Sequence, residues 1–284
     1  MNDTYTKKVL IVGANSYIGQ NFARYSKNQL QVDVVDSYKE WKEANFKGYN
    51  SILMVAGLAH KRPGTSKDMY FTINRDLALA VAKKARASGV GQFIYISSMA
   101  VYGQRDGEIT RETKPNPKKN DFYGISKFQA EERLCDLFYN EPANPGGLCI
   151  IRPPMVYGPG CPGNFSRLVS LATRLPFFPD INNKRSMIYI DNLCAYIMHV
   201  IKEGSSGVFL PQNKEYVNTT ALVQLIAKLK GREIKATKIL NPLVALAGRF
   251  IPAVGKMFGS LVYKDFDDSL IPVDFEDSIR QSIL

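Results

Sequence analysis

A chain of 284 residues, 45% hydrophobic and 22% charged, can bury a sizeable core as one domain or as one domain with a lobe. Its four cysteines (Cys135, Cys149, Cys161, Cys194) show no Cys-x-x-Cys spacing, and His60 and His199 are its only histidines. That argues against a metal site, a histidine-based triad or a disulfide framework, and for reduced thiols in a cytoplasmic protein. The formal charge of +11 suits a polyanionic ligand such as a nucleotide, or an anionic surface. No nucleic-acid-binding motif accompanies the charge, so nucleic acid is not expected as a partner.

Residues 1–5 carry no apolar run, so no signal peptide is expected. Residues 9–12 read as a buried strand and 17–27 as a helix following Gly13. Residues 32–35 and 52–55 are the next strands, and 41–46 leave room for only a short crossover between them. A long amphipathic helix is expected over 70–87, with Leu77, Val81 and Ala85 on one face. Residues 93–96 form a strand, 123–138 a helix and 148–151 another strand. Beyond Arg152, prolines punctuate the pattern. Residues 187–190 and 208–210 look like further strands, and 219–229 a helix capped by Asn218. The apolar tract 239–263 is broken by Pro242, Arg249, Pro252 and Lys256 and is no transmembrane helix. Packing within a lobe is the simpler account of it; peripheral attachment to a membrane, aided by the positive charge, is the other.

Short apolar strands alternating with helices predict an α/β fold, a doubly wound parallel sheet with a smaller carboxy-terminal lobe. The expected division is a dinucleotide-binding domain of 1–152 plus 187–213, and a substrate lobe of 153–186 and 214–284.

Three constellations carry chemistry. Gly13-Ala14-Asn15-Ser16-Tyr17-Ile18-Gly19 joins the first strand to its helix: Gly13 permits the tight turn, Gly19 close packing, and the helix N–H groups face a pyrophosphate. Asp36 closes the second strand, where a carboxylate can accept from an adenosine ribose hydroxyl, although Asp33 and Ser37 compete for that role. Ser97-Ser98 ends a buried strand, so its hydroxyls emerge at the carboxyl edge of the sheet. Tyr123 and Lys127 lie one helical turn apart on the same face, and a nearby cation favours a phenolate. Asn74 lies early in a helix, where capping is the plain explanation. Single motifs of this kind arise by chance; their combination does not.

Together these residues resemble the extended short-chain dehydrogenase/reductase family, in its nucleotide-sugar branch. The resemblance runs through Gly13 to Gly19, Ala56-Gly57, Asn74, Ser97-Ser98, Tyr102-Gly103 and Tyr123-Gly124-Ile125-Ser126-Lys127. It continues through Arg152-Pro153-Pro154-Met155-Val156-Tyr157-Gly158-Pro159, Gly163-Asn164-Phe165 and the stretch from Asn183 to Asn192. It implies a Rossmann-type sheet binding NAD(H) or NADP(H), with Asp36 favouring NAD(H). Gly13, Ser16, Tyr17, Ile18, Gly19, Asp36, Ala56, Gly57, Asn74, Ser97, Tyr123, Lys127 and Pro153 would hold the cofactor. Tyr123 would be the general acid/base, Lys127 its modulator and Ser98 the donor that orients the substrate oxygen. Ser98, Met99, Asn164 and Arg185 would contact the substrate.

More narrowly, the segments 152–165 and 175–192 resemble bacterial capsule and O-antigen reductases. Those convert UDP-linked 4-keto-6-deoxy-N-acetylhexosamines to UDP-N-acetylfucosamine or UDP-N-acetylquinovosamine. The family also implies a homodimer built on helices 70–87 and 123–138. Three departures stand out. Ser16 replaces the usual middle glycine, and the stretch 36–51 lacks room for the usual extra strand. Met99-Ala100 replaces the Asp-Glu pair of sugar 4,6-dehydratases, so a dehydratase is rejected. A UDP-hexose or UDP-N-acetylhexosamine 4-epimerase with tightly held NAD is the nearest rival, and a non-catalytic dinucleotide sensor a more distant one.

Overall fold

Alternate residues of four buried strands supply one face of the core. Leu10 and Val12, Ile52 and Met54, Phe93 and Tyr95, and Leu148 and Ile150 all point to the same side of the sheet. The computed structural model describes residues 7–59, 64–118, 121–139, 147–264 and 270–283, so His60 and residues 1–5 lie outside it. The sheet has six parallel strands: β1 (Lys8–Val12), β2 (Gln31–Val35), β3 (Ser51–Met54), β4 (Gln92–Ile96), β5 (Gly147–Ile151) and β6 (Gly207–Phe209). Their order across the sheet is β6-β5-β4-β3-β1-β2. Register pairs Val12 with Val35 and with Met54, and Ile96 with Ile151, so the carboxyl ends share one edge.

The chain winds from β1 to β2, then crosses back over β1 to β3 and continues the other way. The switch point therefore lies between β1 and β3, where ligands of such sheets bind. The connection from β2 to β3 contains only the short helix Glu40–Glu43, and so β2 is left as an edge strand with Val34 40% exposed. The missing extra strand expected from the length of 36–51 is thus a feature of the fold.

Helices cover both faces of this sheet. Helix α1 (Tyr17–Ser26) packs beside Ile11 and Val55, close enough that a Cβ on Gly19 would sit 2.9 Å from Val55 Cγ2. The opposite face is covered by α2 (Leu77–Ala87) through Ala78, Val81, Ala82 and Ala85, and by α3 (Phe122–Tyr139) through Ala130, Leu134 and Leu137. Small residues on α2 let it approach the strands closely. The single helix expected over 70–87 is interrupted: Lys67–Phe71 is followed by a π-helical turn, Thr72–Asp76, before α2 begins. Leu77 is only partly buried, so Val81 and Ala85 of the expected face reach the core and Leu77 stays at its margin.

One compact unit comprises Met1–Gly103, Lys114–Pro153 and Leu193–Pro211; the other comprises Gln104–Thr113, Pro154–Asn192 and Gln212–Leu284. The second is stitched by three short parallel pairs: Met155–Tyr157 with Met187–Tyr189, Gly107–Ile109 with Leu261–Tyr263, and Phe177–Pro179 with Lys235–Thr237. Pairing therefore draws 187–192 and 104–113 into the second unit, where the sequence reading had placed both in the dinucleotide-binding domain. Tyr157 anchors this unit: its hydroxyl accepts from Asn213 Nδ2 at 2.8 Å and lies 2.5 Å from Ser278 Oγ, and its ring stacks on Phe165. Asn218 caps Thr219–Leu229 as expected, its side chain accepting from Ala221 N at 2.9 Å. Among the described residues, no helix is long and apolar enough to cross a membrane.

Gly124 fixes how α3 begins. A Cβ there would lie 2.7 Å from the Ala100 carbonyl oxygen, so backbone meets backbone directly. Replacing Gly124 with Ala should destabilise the fold by about 1–3 kcal/mol through overpacking. Urea denaturation reads the loss; an unchanged midpoint would show that the contact relaxes freely.

Candidate active site

The turn after β1 is built for close approach. Gly13 has φ of +126°, and its N–H and that of Ala14 both donate to the Val35 carbonyl, at 2.9 and 3.1 Å. A Cβ on Gly13 would sit 2.7 Å from Ala56 N, so only glycine lets β1 and β3 meet at the switch point. Ser16 is the N-cap of α1, its hydroxyl accepting weakly from Gly19 N at 3.4 Å. Tyr17 and Ile18 open the helix, and its first turn contains no acid, so the positive end of the dipole is uncompensated by side chains. This glycine-walled, electropositive turn fits the pyrophosphate of a dinucleotide.

Asp36 is half-buried just after β2. Its Oδ1 accepts from the N–H groups of Tyr38 (2.8 Å), Lys39 (2.8 Å) and Glu40 (3.0 Å), and those bonds hold its carboxyl below the usual range. The residue therefore organises its own turn as well as presenting a carboxylate. Its competitor Asp33 is engaged by Tyr49, whose hydroxyl donates to Oδ2 at 2.7 Å.

Asn74 is fully buried and caps nothing. It occupies the π turn, where its Oδ1 accepts from Leu58 N (2.7 Å) and its Nδ2 donates to Leu58 O (3.1 Å) and to Ser126 Oγ (2.9 Å). Tyr95 Oη donates to the Asn74 carbonyl at 2.8 Å. Asn74 thus ties the loop after β3 to helix α3, directly beside Gly57. A Cβ on Gly57 would crowd Lys127 Nζ (3.1 Å) and Asn74 Oδ1 (3.3 Å).

Ser97 and Ser98 differ sharply. Ser97 is buried and its hydroxyl donates to Glu131 Oε1, so its side chain faces the interior. Ser98 has an extended backbone (φ −164°, ψ 152°), accepts from Ala100 N at 3.1 Å, and presents its hydroxyl to the Tyr123 phenol. Met99 is buried, with its N–H donated to the Pro153 carbonyl at 2.9 Å. Its side chain therefore packs inward, and neither it nor Ala100 offers a carboxylate.

Lys127 is 4% exposed. Its ammonium donates to the Ile96 carbonyl at 2.8 Å and lies 4.6 Å from the Tyr95 ring centroid. Burial pulls its pKa down to about 7, and the charge of Glu131 resists that fall. The phenol of Tyr123 moves the opposite way to the sequence expectation. Burial raises its pKa, Ser98 lowers it by hydrogen bonding, and Asp121 and Tyr70 raise it further. Desolvation is the largest of these effects, and a phenol raised above its ordinary value holds its proton at neutral pH.

Glu131, not singled out from sequence, anchors the layer below. It accepts from Arg152 Nε at 3.1 Å and Nη2 at 2.6 Å, while Arg152 Nη1 donates to Tyr102 Oη at 2.8 Å. Both ions are buried, so each depends on the other for compensation. Glu131 lies four residues beyond Lys127 on the same helix face, the one signal that could have found it.

In the second unit, Arg185 and Asn164 line one pocket together with Met187, Thr219, Lys256 and Met257. Asn164 starts the helix Asn164–Arg174, after Gly163 at φ +98°. Arg185 Nη1 donates to the Gly259 carbonyl at 3.0 Å; burial lowers its pKa and Asp106 opposes this. Among the described residues no cluster of His, Cys, Asp and Glu could hold a metal ion.

The depressed Lys127 pKa makes a pH signature. Between about 7 and its unfolded value of 10.5, the unfolded chain binds more protons at this lysine than the folded one, so stability rises with pH and is lost as pH falls through 7. Lys127→Met removes this dependence. Urea titrations from neutral to alkaline pH should show wild type gaining on the variant by up to about 1.4 kcal/mol per pH unit; parallel curves would contradict a buried, depressed lysine.

Comparison with known proteins shows which family the chain resembles. A profile of the NAD dependent epimerase/dehydratase family matches residues 9–210. The chain is 29% identical over 252 residues to the UDP-glucose 4-epimerase of Vibrio cholerae, covering 78% of this chain and 75% of that one. It is 26% identical to the N-acetyl-alpha-D-glucosaminyl-diphospho-ditrans,octacis-undecaprenol 4-epimerase of Escherichia coli O157:H7, over 91% of this chain and 82% of the other. Among solved structures, MoeE5 in complex with UDP-glucose and NAD superposes with a TM-score of 0.75 at 20% identity, covering 97% of each chain. A dTDP-4-dehydrorhamnose reductase from Clostridium acetobutylicum gives 0.74 at 20% identity, covering 97% of this chain and 98% of the other; at such identities these two share the fold. With more than two thirds of its length matched, the chain belongs to the NAD dependent epimerase/dehydratase family of nucleotide-sugar enzymes.

Proposed function

We propose that the protein reduces the C4 ketone of a UDP-linked 4-keto-6-deoxy-N-acetylhexosamine with NAD(H) or NADP(H). The observation that carries this reading is the hydrogen bond of Ser98 to a protonated Tyr123, one helical turn before the buried Lys127. When bound, the dinucleotide supplies hydride to C4. Ser98 then donates a hydrogen bond to the C4 oxygen, and Tyr123 delivers its proton to the developing alkoxide. Lys127, fixed by the Ile96 carbonyl, favours the phenolate left behind. A phenol that burial keeps protonated is already in the state a reduction requires.

The glycine-walled turn at Gly13, the first turn of α1 and Asn74 with Gly57 supply the cofactor contacts in this reading. Asp36, held ionised by its own turn, favours NAD(H), because a carboxylate repels a 2′-phosphate. The pocket of Asn164 and Arg185 holds the uridine diphosphate, a guanidinium being suited to paired contacts with phosphate oxygens.

A second reading, 4-epimerisation with a retained NAD, is favoured by the two relatives, both named as 4-epimerases. There Tyr123 must first accept a proton and later return it. The two readings separate in one assay. A reductase consumes NAD(P)H stoichiometrically with a UDP-4-ketosugar, whereas an epimerase carries NAD through purification and turns over without added cofactor. Under either reading, Tyr123→Phe should lower kcat by about 10²–10⁴-fold with cofactor affinity little changed. Near-normal turnover by the variant would remove Tyr123 from the chemistry.

A further inference from the structure

The tract 239–263 divides: Leu261–Tyr263 is buried and paired within the second unit, as lobe packing predicts, whereas the segment 239–251 is not lobe interior. The tract folds as Asn241–Phe250 and Pro252–Phe258, followed by the strand Leu261–Tyr263, and no residue of the first helix is buried. Ile239 (84% exposed), Leu243 (65%), Leu246 (55%) and Phe250 (77%) recur at spacings of four, three and four, a single stripe continued by Ile251 (50%). Five large apolar side chains in one exposed row form a patch of the kind that marks an interaction surface.

The charge around the stripe identifies the occupant. Between positions 228 and 256 the chain carries seven Lys and Arg against one acid, Glu233, which is more than half of the net +11. Lys235, Lys238, Arg249 and Lys256 are all exposed. A second copy of the chain would bring this cationic rim against itself, because a two-fold interface repeats the same patch on both sides. An anionic phospholipid surface complements the rim and accepts the apolar row.

We propose that the face formed by residues 239–251 docks on an anionic bilayer, with the apolar row in the headgroup boundary and the lysines and arginines at the lipid phosphates. This attachment is peripheral and does not depend on which C4 reaction the enzyme performs.

Co-sedimentation of the full-length protein with vesicles tests it. Binding should be strong to phosphatidylglycerol-phosphatidylethanolamine vesicles, weaker to phosphatidylcholine, and reduced by salt. The exposed double variant Leu246→Ser, Phe250→Ser should bind anionic vesicles on the order of tenfold less, as should Lys235→Glu, Lys238→Glu. Turnover of a soluble UDP-sugar should stay unchanged in both. Failure of wild type to sediment with anionic vesicles, or equal binding by both variants, overturns the proposal. So does a dimer, seen by sedimentation velocity, that falls apart in the Leu246→Ser, Phe250→Ser variant. Absence of UDP-sugar turnover alongside intact vesicle binding would count against the catalytic reading alone.

Discussion

Burial of the Lys127 ammonium is the constraint on which the rest of the site depends. An ammonium taken out of water must be compensated, and the protein does so with one carbonyl, one aromatic face and one carboxylate at a distance: Ile96, Tyr95 and Glu131. The carboxylate is in turn buried and is neutralised by Arg152, which is held by Tyr102. Strands β4 and β5, helix α3 and the turn at Ser98 are thereby locked around a single cation. The compensation is incomplete, which is why the lysine pKa falls to about 7 and its protonation becomes sensitive to small changes in charge nearby.

A second constraint is spatial. At Gly13 and Gly124 the backbone approaches another element so closely that a Cβ has no room, and at Gly57 a Cβ would crowd the Lys127 ammonium and the Asn74 amide. Gly13 brings β1 to β3 at the switch point, Gly57 leaves space over Lys127 and Asn74, and Gly124 seats α3 against the Ser98 turn. These three contacts set the positions of a phosphate-sized anion site, a cation and a phenol along one edge of the sheet. The π turn at Asn74 belongs to the same scheme. Its extra residue places an amide where it can clamp Leu58 and Ser126 together, and it leaves a carbonyl for Tyr95.

What sequence reveals here is what depends on local pattern. Apolar runs located every strand of the sheet, and Gly13, Gly19 and Asn218 have the turn, packing and capping roles their positions suggested. Features set by long-range contact were not legible. Gly107–Ile109 is a strand only because Leu261–Tyr263 pairs with it, and the π turn sits where Asn74 bonds to Leu58 and Tyr95, both distant in sequence. Glu131 and Arg152 are 21 residues apart and meet only in the fold. The direction of the Tyr123 shift is not legible for the same reason: spacing shows that a lysine is near, but not how much water is excluded. Ser97 and Ser98 look equivalent in sequence, yet strand alternation sends one hydroxyl inward and leaves the other facing Tyr123.

The proposed reduction is hydride and proton transfer at C4. Its most direct test is a single turnover of a UDP-4-keto-6-deoxy-N-acetylhexosamine with NAD(P)H deuterated at the transferring position of the nicotinamide, followed by NMR of the sugar product. Deuterium at C4, in amount equal to cofactor oxidised, is the predicted result. A product without deuterium at C4, or no oxidation of cofactor in the presence of the ketosugar, would contradict the reduction assigned to Ser98, Tyr123 and Lys127.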